Sequence, residues 1–361
     1  MTSEAAPSSP EVALKSCCQL ETPVVSLNEI AMQSFLESDA APFPGLLDFH
    51  IGSTNCFPEL VFESAIEEAG FIVLVHGLDF GSGFRHILHE RRNGQGAWLT
   101  IRGGLVAIGK TFGTTVRSDW LRTTTVEQVQ QLFDINFADL RLLAEQIHGV
   151  VMEFADVLEG NGHATLGSWT VASCQQGACS FVSELVSTFP FTFRDAYVLK
   201  SKDLPSEYAE GSLPDEQGVL LAKKAQLVAS EIHIRFSRDS TLDPAIRSLL
   251  VFEDYEKLSG FIDNVVVAVL RKLGIIECSS QLNSRIDAGD TLASGSWEEV
   301  SLRAKALVAV RDIVKRYNDK HKLREKMLTA AQLCNYMWGG LGKLPAFRAF
   351  PRHHTPTTLF Y

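Results

Sequence analysis

One aspartate stands alone in an oily run, Gly260-Phe261-Ile262-Asp263-Asn264-Val265-Val266-Val267-Ala268-Val269-Leu270, and the next formal charge downstream is Arg271. Taking a carboxylate out of water is costly unless a hydrogen bond, a cation or a substrate compensates. Asp263 can cap the helix that the apolar run predicts, since Asp is among the preferred N-cap residues. It can also be a catalytic carboxylate at the edge of a pocket. The spacing leaves both roles open.

Other chemistry-bearing residues read more blandly. Gly104-Leu105-Val106-Ala107-Ile108-Gly109-Lys110-Thr111 satisfies the phosphate-loop pattern G-x-x-x-x-G-K-[ST]. A working loop follows a buried strand and has small or polar residues between its glycines. Leu-Val-Ala-Ile reads instead as a helix-core stretch, so nucleotide triphosphatase chemistry is not expected. Gly81-Ser82-Gly83 reads as a backbone pocket around a ligand or as a tight turn requiring positive φ. His86 and His89 form two-thirds of a metal site at most, and without a nearby third ligand no metal is expected. Lys223-Lys224 reads as a solvated helix face that gains interest only if a phosphate must be held. The seven cysteines contain no C-x-x-C pair, so neither a zinc site nor a disulfide framework is indicated. Cys174 and Cys179 carry no nucleophile signature.

The elements that must position these groups are mostly helical. Capping-box patterns at Ser26-Leu27-Asn28-Glu29, Thr125-Val126-Glu127-Gln128 and Ser296–Glu299 open helices to about residues 37, 133 and 317. Pro58 and Gly70 bracket a helix over 59–69. Phe71-Ile72-Val73-Leu74-Val75 is short and β-branched, which predicts a buried strand. Further helices are expected over 98–110, 137–158, 181–188, 220–236, 244–258, 263–273 and 323–338, with a strand over 194–199 and an exposed loop over 201–217. The fold class is therefore mostly α, an α+β fold with a minor sheet and about ten helices. Residues 1–25, rich in Ser, Ala, Pro and Glu, are expected to be a disordered tail, and 26–361 a single domain.

With 361 residues and 45% apolar content the chain can bury a full core, and its net charge of −10 argues against a long nucleic acid as main partner. No apolar run reaches the roughly 20 residues needed to span a bilayer. The chain reads as soluble and cytoplasmic.

Several segments, in shared order from about His50 to Tyr361, resemble the queuosine salvage family of queuosine 5′-phosphate N-glycosylase/hydrolases. Leu78-Asp79-Phe80 is similar to a Leu-Asn-Phe or Leu-Asp-Phe motif, and Gly96-Ala97-Trp98 to a Gly-x-Trp helix opening. Phe189-Pro190, Phe193-Arg194-Asp195 and Lys224-Ala225-Gln226-Leu227-Val228-Ala229 follow the family's Phe-Pro…Tyr-Arg-Asp…Arg-Ala-Gln succession. Glu299-Val300-Ser301-Leu302-Arg303 resembles Glu-Val-Glu-Ile-Arg, and Leu359-Phe360-Tyr361 the Tyr-Tyr ending. The catalytic Phe-Ala-Asp-Tyr motif has two counterparts. Phe252-Glu253-Asp254-Tyr255 matches letter by letter, while Phe261-Ile262-Asp263-Asn264 has the right distance to Leu273-Gly274.

Spacing favours the second, so the resemblance implies Asp263 as the catalytic residue, Phe261 as the residue packing on the base and His50 as a substrate contact. It further implies a helical architecture like that of DNA glycosylases, and hydrolysis that releases queuine for tRNA modification. A small nucleotide is then the substrate, with no cofactor, no metal, no direct nucleic acid and no membrane. Where the family carries Leu-Asp-Tyr-Tyr-Leu-Trp-Asp, this chain has Leu333-Cys334-Asn335-Tyr336-Met337-Trp338-Gly339. Both acids are absent, at Cys334 and Gly339. A catalytically weak or altered binder of a modified nucleoside is therefore the alternative. Base excision from DNA is a third reading, disfavoured by the acidic charge.

Overall fold

The computed structural model describes residues 9–38, 57–208, 213–321, 327–356 and 358–361. The fold is mostly α with two antiparallel two-stranded sheets. Strand β1 (Val25–Leu27) pairs with β4 (Ile276–Cys278), and β2 (Ala196–Lys200) pairs with β3 (Glu216–Leu220), register Ala196↔Leu220.

Buried apolar residues form two clusters. One is built from helices of residues 57–258, around Phe71, Phe133, Phe154, Phe181 and Phe189. The other gathers the Asn264–Lys272 and Trp297–Lys320 helices with the N-terminal elements. Tyr255 packs against both.

Local chemistry sets many boundaries as expected. Thr125 and Gln128 form the reciprocal capping box of Val126–Leu132, and Ser296 accepts from Glu299 N to open Trp297–Lys320. The phosphate-loop pattern lies inside the continuous helix Ala97–Phe112, where a Cβ on Gly104 would fall 2.2 Å from the Phe133 ring. Its backbone N–H groups are committed to the helix and cannot wrap a phosphate.

Several expectations are corrected. Phe71–Val75 is not a strand but the middle of the helix Ala65–Gly77, capped by Ser64. The helix is buried on most sides, so its apolar residues lose the 3.6-residue period that marks a half-exposed helix. Gly70 is interior to it because the backbone of Gly167 packs there: a Cβ would lie 2.3 Å from Gly167 N. Ser26 belongs to β1, and Asn28 caps Glu29–Glu37 instead, accepting from Ala31 N at 2.9 Å.

The helix expected over 244–258 stops at Leu250, where Phe252 N donates to His233 Nδ1. Of the helix expected over 323–338, residues 323–326 lie outside the described residues, and the described part is helical over Ala330–Asn335, followed by a π turn. Within the stretch read as a disordered tail, Pro10–Gln19 is a helix that buries Ala13 and Cys17. Among the described residues no helix is long and apolar enough to cross a membrane.

Candidate active site

The loop before Asp263 is fixed by its neighbours. Gly260 has φ +109°, a conformation that favours glycine, and Cys334 Sγ lies 3.0 Å from where its Cβ would be. Arg303 Nε donates to the Ile262 carbonyl at 3.2 Å. The chain then enters the Asn264–Lys272 helix with Asp263 as its N-cap: Oδ1 accepts from both Val265 N and Val266 N at 2.9 Å. Asp263 is therefore a cap, and it also lines a cavity of about 750 Å³. Among the described residues no donor reaches its Oδ2. Asn264 ties the helix start to two other segments, donating to Ser82 Oγ at 3.2 Å and the His353 carbonyl at 3.4 Å.

The cavity lies between the two apolar clusters, with Phe57, Phe71 and Phe80 from one and Phe261 from the other in its wall. The Lys223–Ser237 helix supplies Lys223, Leu227, Glu231 and Arg235, spaced by four and so on one face. The Ala65–Gly77 helix faces it. Lys223 Nζ meets Asp79 Oδ2 at 3.3 Å, and Arg235 grips Glu68 through two bonds of 2.6 and 2.9 Å.

Burial acts to raise the Asp79 pKa, but the Lys223 charge and His76 outweigh it and hold the carboxyl below its ordinary range. His76 is pushed down to about 4 by burial and is neutral at pH 7; its buried Nδ1 has no partner among the described residues. Burial lifts Glu231 to about 7 against the pull of Arg238 and Arg235. A further cationic group, Arg85, Arg348 and Arg352, lines the same cavity.

Of the residues singled out from sequence, Asp263 and Phe261 share this cavity, and His50 lies outside the described residues. The rival Asp254 is elsewhere. Its two oxygens accept from Ala178 N at 2.7 Å and Cys179 N at 3.1 Å, capping another helix. Ser82 of Gly81-Ser82-Gly83 lines the cavity, while Gly81 takes φ +103° and a Cβ on Gly83 would meet Pro356 at 2.3 Å. The turn reading of that motif is borne out by the positive φ of Gly81, and Ser82 sets the turn at the cavity wall.

Lys224 does not line the cavity. It is fully buried, with Nζ donating to the Gly77 carbonyl at 2.7 Å, and burial lowers its pKa to about 7. Arg194 is exposed and outside the cavity. Cys334 faces the core, where burial pushes its thiol up to about 12, whereas Asn335 and Trp338 line the cavity. The His86 ring lies tilted against that of His354, centroids 4.9 Å apart, and His89 lines the cavity. Among the described residues no group of three or more His, Cys, Asp and Glu could hold a metal ion.

Sequence reasoning passed over Glu231, Arg235, His76, Arg85, Arg348 and Arg352. The four-residue spacing of Lys223, Leu227, Glu231 and Arg235 was a usable signal; Arg348 and Arg352 had none.

A second hollow, about 720 Å³, is lined by His163, Trp169, Gln175 and Cys179. Burial and the Asp254 carboxylate push the Cys179 thiol up to about 12, so it offers no ready nucleophile.

The queuosine salvage protein family profile matches residues 107–361. A queuosine 5′-phosphate N-glycosylase/hydrolase of Sphaerobacter thermophilus is 26% identical over 191 residues, 53% of this chain and 50% of that protein. One of Dictyostelium discoideum is 24% identical over 265 residues, 72% of this chain and 69% of that protein. The chain thus spans half the length of the first of these relatives and about two thirds of the second.

Proposed function

This chain belongs to the queuosine salvage protein family, and on that premise we propose that it hydrolyses the N-glycosidic bond of queuosine 5′-phosphate, with Asp263 as the catalytic carboxylate. In the reaction the bond between ribose C1′ and the base nitrogen breaks, the oxygen of water joins C1′, and a proton passes to the base. The products are ribose 5-phosphate and queuine.

Breaking this bond builds oxocarbenium-like charge on the ribose, which a fixed carboxylate beneath the sugar stabilises. One observation carries the reading: Asp263 lines the cavity and spends Oδ1 on two amide donors, while Oδ2 takes no donor among the described residues. The amides set the direction of the carboxylate, so little reorganisation is needed during reaction. Phe261, beside it in the wall, offers a flat apolar surface to a base.

The leaving base is a 7-deazaguanine, with no N7 to protonate, so it needs hydrogen bonds as it departs. The acids that the family motif places on the last helix are absent. Asp79 and Glu231 bring carboxyl chemistry from other elements, and Glu231, uncharged below about pH 7, can donate as well as accept.

Incubating the purified protein with queuosine 5′-phosphate, with mass detection of queuine and ribose 5-phosphate, tests the proposal. Release by the wild type that is lost in Asp263→Asn supports it. Full activity in Asp263→Asn removes Asp263 from the chemistry. The burial of Cys334 where an acid is expected favours a second reading, a binder of the modified nucleoside with weak or altered activity. Saturable binding without product is the outcome that selects it.

A further inference from the structure

The residues on either side of Asp263 are both held, and the two holds meet. Before it, Arg303 Nε donates to the Ile262 carbonyl at 3.2 Å. After it, the Asn264 side chain donates to the His353 carbonyl at 3.4 Å and to Ser82 Oγ at 3.2 Å. One hydroxyl joins Arg303 to His353. Tyr361 donates its O–H to Glu299 Oε1 at 3.1 Å, the same oxygen that accepts from Arg303 Nη1 at 3.1 Å. The same phenol oxygen lies 3.1 Å from His353 Nε2. Arg303, Glu299, Tyr361 and His353 are all buried.

The proton count fixes the direction of each bond. A phenol has one proton. Tyr361 gives it to a carboxylate paired with a guanidinium, so it accepts from His353, whose ring proton must then sit on Nε2. Nδ1 is left bare, and it is indeed a buried nitrogen with no partner among the described residues. Burial pushes His353 down to about 3, so the ring stays neutral and keeps this tautomer. The backbone around His353 is itself fixed. Leu292 N donates to the His354 carbonyl at 2.7 Å, and Arg271 Nη1 donates to the Pro351 carbonyl at 3.2 Å.

The peptide groups flanking a residue set its φ and ψ. Asp263 takes φ −116° and ψ −175°, the extended conformation that lets Oδ1 accept from Val265 N and Val266 N. We propose that Tyr361 is a positioning residue of the reaction. Its hydroxyl closes a circuit running from Ile262 through Arg303, Glu299, Tyr361 and His353 to Asn264, and this circuit clamps the backbone around Asp263 and sets the direction of its carboxylate. The claim that this serves catalysis rests on the hydrolase reading above.

A reacting or charge-stabilising carboxylate gains most when its geometry is fixed before the reaction. A closed network of buried hydrogen bonds holds that geometry more tightly than separate bonds do. Arg303 alone would pin only the peptide before Asp263; the Tyr361 hydroxyl extends the hold to the residue after it.

Tyr361→Phe removes the hydroxyl and keeps the ring, over which the Arg303 guanidinium lies at 5.0 Å. His353→Gln retains an N–H donor near the Nε2 position, and His353→Leu does not. Amide hydrogen exchange of Val265 and Val266, whose N–H groups Asp263 accepts, reads the clamp without any substrate. Val151, midway along the helix Arg141–Asn161, is the control. Protection of Val265 and Val266 is expected to fall about tenfold in Tyr361→Phe and His353→Leu and to stay near wild type in His353→Gln, with Val151 unchanged. In steady-state hydrolysis of queuosine 5′-phosphate, kcat is expected to fall about tenfold in the same two variants, with KM within about twofold.

Protection of Val265 and Val266 unchanged within about twofold overturns the proposal. So does an equal fall at Val151, which is general destabilisation, or an unchanged kcat in an active protein. The His353 pair carries the test if Tyr361→Phe does not fold. If the wild type releases no queuine, the hydrolase reading falls, and the two amides still decide the clamp.

Discussion

Arg303 Nε donates to the carbonyl of Ile262 at 3.2 Å, so a fully buried guanidinium holds the backbone one residue before Asp263. Its Nη1 also donates to Asp195 Oδ1 at 3.0 Å and Glu299 Oε1 at 3.1 Å, and Tyr361 donates to Glu299 at 3.1 Å. The loop before Asp263 is thereby anchored to the residue preceding β2, the Trp297–Lys320 helix and the C-terminal segment at a single point. Arg303→Met leaves Asp195 and Glu299 buried and unpaired, a loss of about 3–5 kcal/mol. Urea unfolding measures it. Arg303→Lys keeps the charge but not the planar fork. It is expected to fold with a reduced kcat and little change in KM; an undiminished kcat would show that the Ile262 contact does not position Asp263.

The cap role of Asp263 and its proposed catalytic role separate by substitution. Asn is as good an N-cap as Asp, whereas Ala is not, and losing a cap costs about 1 kcal/mol. Asp263→Asn is therefore expected to stay within about 0.5 kcal/mol of the wild type, and Asp263→Ala to fall about 1 kcal/mol below it. Both are expected to lose activity, by about 10²-fold or more. If only the Ala variant is inactive, the carboxylate serves as a cap and not as a reacting group.

Cap chemistry is local, which explains why the start of the Asn264–Lys272 helix, the Thr125–Gln128 box and the Ser296 cap are legible in the residues themselves. The Phe71–Val75 run is not, because an apolar stretch buried on most sides carries no period to tell helix from strand. What decides it is the approach of Gly70 to Gly167, a contact between residues far apart in sequence. The same distinction governs the site. Asp254 and Asp263 each sit two residues after a phenylalanine, and only tertiary structure assigns one to the Ala178 helix N-terminus and the other to the cavity. Arg348 and Arg352 are brought there by a C-terminal segment with no periodic pattern.

Adjacent glycines in the Ala97–Phe112 helix are expected to respond with opposite sign. A Cβ on Gly103 meets nothing within 4 Å, so Gly103→Ala is expected to stabilise by about 0.5–1 kcal/mol through lower backbone entropy in the unfolded chain. A Cβ on Gly104 meets three atoms of the Phe133 ring at 2.2 to 2.5 Å, and overpacking of this kind costs about 1–3 kcal/mol. Melting temperatures of the two variants check the pair. Equal losses at both positions would contradict the helical placement of the phosphate-loop pattern.

Glu231 ties stability to pH. Burial raises its pKa from 4.5 to about 7, opposed by Arg238 and Arg235 and reinforced by Glu68. Between these values the folded protein holds a proton that the unfolded chain releases. The contribution to stability is fully present below pH 4.5 and is lost as pH rises through about 7. Glu231→Gln carries no titrating group and lacks this loss. Urea midpoints of both proteins at pH 4.5 and pH 8 provide the comparison: relative to the variant, the wild type is expected to be less stable at pH 8 than at pH 4.5. Parallel behaviour across that range would mean that Glu231 ionises as freely in the cavity as in water, and would take away its role as an uncharged hydrogen-bond donor to the departing base.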